Sequence, residues 1–159
     1  MTNHCGSCTA CCRVFAIPEL EKPAGKWCQH CAIGKGCKVY DARPEMCISF
    51  ECIWLQSQKQ GEATRLPLEL RPDKSKVVLA ASTNPHVITA TTMPGAPDAW
   101  MRPAMRKLIE TMVSSGKFAV AVGAPASTNQ IHISSKGIKP VRMTEPDETG
   151  MMWSIPDES

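Results

Sequence analysis

All nine cysteines of this 159-residue chain fall between Cys5 and Cys52, and the long stretch after Cys52 has none. The opening run "MTNHCGSCTACCRVF" alone carries Cys5, Cys8, Cys11 and Cys12. Segments between the sulfurs are short and broken by Gly, Pro and Lys, so residues 1–57 cannot build an apolar core from their own side chains. Bonds from thiolates to metal would take the place of that core, as in small metal-dependent domains.

A secretory leader needs a basic start and an apolar run of about 7–15 residues, whereas this opening run is polar, small and thiol-bearing. The longest apolar stretches, "KVVLAAS" and "FAVAVGA", fall well short of the roughly 20 residues that span a bilayer. The chain is therefore expected in the cytoplasm, away from membranes, where disulfides do not persist and dense cysteines hold metal instead. An odd number of cysteines also excludes complete internal pairing. With 43% hydrophobic residues, 21% charged residues and a formal net charge of +3, nothing implies nucleic acid as a partner.

The expected organisation is α+β. Residues 1–57 form an irregular cysteine-rich metal-binding module with short helices, and "SQKQGEATRLP" reads as a polar connector. Residues 58–159 form a small antiparallel sheet packed on one main helix, and the module leans on this part. "SKVVLAAS" and "PHVITATT" read as two strands of a hairpin or meander, bounded by Asn84-Pro85 and Pro94-Gly95. Met101, Met105, Leu108, Ile109, Met112 and Val113 follow at helical spacing, with Pro103 in the first turn and Gly116 as the stop. "KFAVAVG" and "NQIHIS" read as two further strands, "GIKPVRM" as a short edge strand and the tail as irregular. Trp100 and Trp153 read as packing anchors, while Trp27 and Trp54 bracket the module and shield it from water.

Zinc and iron-sulfur clusters are both held by thiolates, and C-x2-C spacing lets two sulfurs of one turn reach one metal. Cys5, Cys8 and Cys11 run C-x2-C-x2-C, Cys28 and Cys31 make another such pair, and Cys37, Cys47 and Cys52 follow. Neighbouring side chains diverge by about 100° on a helix, so Cys11 and Cys12 should turn to different partners. "RPEMCISFECIWLQ" reads as one helix begun by Pro44, on which Cys47 and Cys52 are separated by about 140°. Two metal centres, or one multinuclear cluster, accommodate both pairs.

The run "CGSCTACC", then "WCQH", then "GCKVYDARPEMCISFEC", resembles the YkgJ-type cysteine-cluster family, the zinc- or iron-chelating CxxCxxCC domain. The resemblance covers residues 1–55 and implies a ligand set of Cys5, Cys8, Cys11, Cys12, Cys28, Cys37, Cys47 and Cys52. Cys31 stands where the family has an apolar residue and is the surplus thiol, though its spacing from Cys28 makes it a credible ligand. The family's Arg after the penultimate cysteine is missing, with Ile48 in its place. Arg13 and Arg43 are then the candidates to offset thiolate charge. His4, His30, His86 and His132 read as ordinary polar residues.

Zinc and an iron-sulfur cluster stand near parity on spacing. Three functions follow: a metal-held module that binds a protein partner, a redox or modifying enzyme using an iron-sulfur cluster, and a metal buffer or carrier. The resemblance supports the enzyme through the family's occurrence in flagellin lysine methylases. No nucleophile elbow, zincin motif, phosphate loop or dinucleotide fingerprint is present. "VGAPASTN" reads as a loop, so Ser127, Thr128 and Asn129 carry no role.

Overall fold

The computed structural model describes residues 7–145, 147–148 and 152–155. Cys5 and His4 lie outside the described residues. The cysteine-rich part is built of single turns: α1 (Cys11–Val14), a 3-10 turn at Pro18–Leu20, the two-residue strands β1 (Cys31–Ala32) and β2 (Gly36–Cys37), and a 3-10 turn at Tyr40–Ala42. Then come α2 (Glu45–Ser49) and α3 (Ile53–Lys59). The expected single helix after Pro44 is thus two helices. Phe50 is extended and Cys52 takes the N-cap of α3, its Sγ accepting from Leu55 N–H at 3.4 Å. A sulfur acceptor at this position satisfies one of the unpaired amides that every helix start carries, which favours restarting the helix there.

After α4 (Pro72–Ser75) the chain enters a six-stranded sheet of β3 (Val77–Ala81), β4 (Val87–Thr92), β5 (Ala119–Gly123), β6 (Asn129–Ser134), β7 (Gly137–Met143) and β8 (Ser154–Ile155), which lie side by side in chain order. The class is α+β. β3 and β4 pair antiparallel through the Asn84-Pro85 turn, where Asn84 Oδ1 accepts from His86 N–H at 2.9 Å. β5 lies parallel to β4, with Val87 opposite Ala119 and Thr91 opposite Gly123, so the expected antiparallel sheet is a mixed one. The reason is the helix α5 (Pro103–Ser114) between those strands, a crossover that returns the chain to the end from which β4 started. Pro103 sits at N1 and Gly116, at φ 75°, closes the helix with its N–H on Val113 O at 3.0 Å. Pro140 lies on the stretch of β7 that β8 leaves uncovered, where a missing N–H is tolerated. The tail is not wholly irregular, since β8 pairs with Arg142 and Met143.

Strand alternation sends the two faces of the sheet to different partners. Val77, Leu79, Ile88, Ala90, Val120, Val122 and Ile133 pack with Met105, Ile109 and Val113 of α5 and with Trp100. On the opposite face, Val78 and Met93 pack with Ala10, Val14, Cys52 and Leu55 of the cysteine-rich part. That part therefore rests on the sheet beside β3. Trp54 borders both clusters, and its indole N–H donates to Pro67 O at 3.1 Å. Trp153 is 60% exposed and belongs to neither hydrophobic cluster of the described residues, beside the exposed two-residue β8 at the end of the sheet. Met101 also departs from the expected helix face: it lies in a 3-10 turn before α5 and is exposed.

Leu55→Ala and Ile109→Ala each remove a buried side chain, and each should lower stability by about 2–5 kcal/mol in urea unfolding. Only Leu55→Ala, under the cysteine layer, should also speed thiol labelling under native conditions. Equal labelling rates in the two variants would contradict the division of the core.

Candidate metal centre

One cavity of about 1040 Å³ is lined by Cys8, Cys11, Cys12, Cys28, Cys31, Cys37, Cys47 and Cys52. Every described cysteine lines it, although they come from α1, β1, β2, α2, the start of α3 and the turns between them. Its remaining wall is largely apolar, including Phe15, Ile17, Leu20, Tyr40, Ile48 and Leu55. The break between α2 and α3 is what lets both Cys47 and Cys52 reach the cavity, which one straight helix would not do. Among the described residues, no three Cys, His, Asp or Glu side chains are gathered closely enough to hold an ion as they stand. The thiols line a space; they do not meet at a point.

Contacts among the thiols are nevertheless specific. Thr9, Cys31, Cys12 and Cys11 are near enough to affect one another's titration. Cys11 and Cys12 both line this one cavity. The Cys12 thiol is held far above the ordinary thiol range, first by the adjoining Cys11 thiol and then by burial. Burial and the nearby Cys12 push Cys31 up to about 12. Burial raises Cys47 too, reinforced by the negative charge that Cys12, Cys28 and Cys37 would carry and opposed by Arg43. Cys52 is raised by burial against its hydrogen bond from Leu55 N–H. Cys12, Cys31, Cys47 and Cys52 thus hold their protons more firmly than ordinary thiols until something compensates the charge.

Of the two arginines expected to compensate it, only Arg43 lines the cavity, with Nε donating to Tyr40 O at 2.8 Å and the guanidinium 3.8 Å from the Tyr40 ring centroid. Arg13 is engaged with Gly25 O at 3.4 Å and the Trp27 ring at 5.4 Å, and does not line it. Neither Trp27 nor Trp54 lines it either. His30 does, beside Gln29.

Lys22 is the charged residue that sequence reasoning missed. It is 7% exposed, and its ammonium donates to the carbonyl oxygens of Arg13 and Pro23 at 3.2 Å each and to that of Phe15. It thereby closes the C-terminal end of α1, where cations are favoured. Burial lowers its pKa, while Cys28, Cys12, Cys11 and Cys47 as thiolates draw it back up. In sequence it is one lysine among many, and its only signal is a position between Ile17 and Pro23 that folds back on α1 through paired backbone bonds with Ile17.

His132 is half-buried, bonded to Gln130 Oε1 at 3.1 Å, and held below the usual imidazole range by burial and by Lys139 directly across the ladder. It lies on the sheet away from the cavity. Ser127 bonds backbone atoms of its own turn. No family model matches this chain, and no curated protein or solved structure matches it.

The thiol shifts set a pH dependence for the metal-free chain. A thiol whose folded-state value lies above its ordinary 9.0 keeps its proton longer when folded, so its contribution is complete below pH 9.0 and is lost as pH rises toward about 12 for Cys31. Urea midpoints of the reduced, chelator-treated chain should fall between pH 8 and pH 10, on the order of the thiol range; a midpoint that rises would contradict the assignment. Lys22→Met strands carbonyl oxygens that are now paired and should cost about 1–3 kcal/mol in the same assay.

Proposed function

We propose that the chain is a cytoplasmic metal-binding protein whose cavity takes zinc or an iron-sulfur cluster through cysteine thiolates. The observation that carries this reading is that all eight described cysteines, spread from Cys8 to Cys52, line one cavity. Thiols scattered by chance over a polar module would not converge on one space. The resemblance of residues 1–55 to the CxxCxxCC family points the same way.

The donor set fits such a group. Soft thiolates select zinc, copper(I) and iron-sulfur clusters, and eight of them suffice for two four-thiolate centres. Cys5 belongs to the same reading through its spacing from Cys8. Arg43 at the wall and Lys22 behind α1 are the cations that oppose accumulating negative charge. Bound metal would supply the cross-links that the module's own side chains do not provide. Since Cys12, Cys31, Cys47 and Cys52 hold their protons more firmly than ordinary thiols and the cysteines line the cavity without meeting, loading should release protons and draw the walls together.

Anaerobic purification, elemental analysis and an absorption spectrum test the reading. A colourless protein with about two zinc ions per chain, or a brown one with iron and acid-labile sulfide, is the expected result. In either case Cys12→Ser, which removes a cavity thiol whose backbone carbonyl accepts from Cys28 N–H, should lose at least half of the metal. A chain that emerges without metal and takes up none when reduced and offered zinc would overturn the proposal.

A further inference from the structure

The cysteines that surround the β1–β2 hairpin are tied together more closely than the rest. Cys31 and Cys37 are directly opposed in the antiparallel ladder, which places their side chains on the same face of the hairpin. Gly34 and Gly36, at φ 73° and 143°, give the turn the left-handed backbone it needs to hold that register. At the other end of β1, Cys31 N–H donates to Cys28 O at 3.0 Å, closing the C-x2-C segment into a turn. Cys28 N–H in turn donates to Cys12 O at 3.0 Å, which fixes α1 against that turn. Thr9 completes the frame, its Oγ1 accepting from Gly34 N–H at 3.1 Å.

We propose that Cys31, the thiol surplus to the family-like pattern, is a metal ligand that completes a four-thiolate site with Cys12, Cys28 and Cys37. The inference rests on the metal-binding reading above and goes beyond it by naming the members of one centre. Backbone hydrogen bonds or ladder register connect each of the four to another member. Cys47, the rival fourth donor, is carried on α2 and has its N–H on Pro44 O at 2.9 Å, with no backbone bond to the hairpin or to α1. Cys8 and Cys52 belong elsewhere: both pack into the cluster against Val78 and Met93. Cys12, Cys28, Cys31 and Cys37 all line the one cavity. Each thiol that binds a divalent ion releases its proton to solvent, so four neutral thiols and one zinc ion give a site of net charge minus two and four protons.

The test uses the full reduced chain loaded with zinc and treated with an alkylating agent under native conditions, each cysteine being followed by mass spectrometry. Cys31 should be protected to the same degree as Cys28 and Cys37. Alkylation of Cys31 at the metal-free rate while Cys28 and Cys37 are protected would overturn this inference and leave the metal-binding reading intact. Protection of no cysteine would overturn both. Because protection can also come from simple closure of the cavity, cobalt(II) supplies a second readout that reports on the bond itself. Cys31→Ser should lower the thiolate-to-cobalt charge-transfer absorption by the share of one sulfur and weaken zinc by more than about 10-fold against a chelating dye. An unchanged band and affinity would overturn the assignment. The alkylation arm uses the natural sequence, so labelling of Cys31 at the metal-free rate overturns the assignment even where the serine variant does not fold.

Discussion

A segment with too little apolar surface to fold on itself must take its shape from something else, and here it takes it from one face of a sheet and from its own sulfurs. Val78 and Met93 supply the floor on which Ala10, Val14, Cys52 and Leu55 settle. Leu55 reaches that floor because α3 starts anew at Cys52. Burial of a few such side chains is worth about 1.5–3 kcal/mol each, enough to seat the layer but small against the entropy of ordering a long irregular segment. The hydrogen bonds of Lys22 to three carbonyl groups and the short hairpin ladder add local order. The remaining constraint falls to the thiols.

Those thiols are electrostatically frustrated as they stand. Bringing weak acids together beneath apolar walls raises the cost of ionising any one of them, and each ionisation makes the next harder. Lys22 and Arg43 oppose this only in part, since Arg43 is engaged with Tyr40 and Lys22 is spent on carbonyl oxygens. In the proposed metal-binding reading, a divalent ion or a cluster would resolve the conflict by supplying positive charge at the sulfurs themselves.

The sheet was largely legible from the sequence because its signals are local. Alternation in "NQIHIS", β-branched runs at Val77 and Val87, Pro103 at the helix start and Gly116 at its end each act within one element. The parallel pairing of β4 with β5 was not legible, because it depends on where α5 packs and not on either strand's own pattern. The break at Phe50–Cys52 was missed for a related reason: a cysteine at an N-cap is rare enough that helical spacing on both sides reads as continuous. Cys5 through Cys52 were visible as candidates from spacing alone, yet Lys22 was not, since a buried lysine looks like a surface one until its carbonyl partners are placed around it. Trp153 was misjudged because a large aromatic ring suggests burial, and nothing near it in sequence announces a sheet edge.

The difference between lining a cavity and meeting at a point bears on how such a centre works. Thiols already converged on one ion would bind tightly and release slowly, whereas thiols distributed around a space of about 1040 Å³ must move inward to coordinate anything. The hairpin thiols are fixed to α1 and to one another through the backbone, whereas Cys47 is carried on the short helix α2. Under the proposed metal-binding reading, the order gained on closure would be subtracted from the intrinsic strength of the metal–sulfur bonds. A site built in this way would couple metal occupancy to the shape of the cavity mouth, so a partner at that mouth would meet a different surface in the loaded and unloaded states.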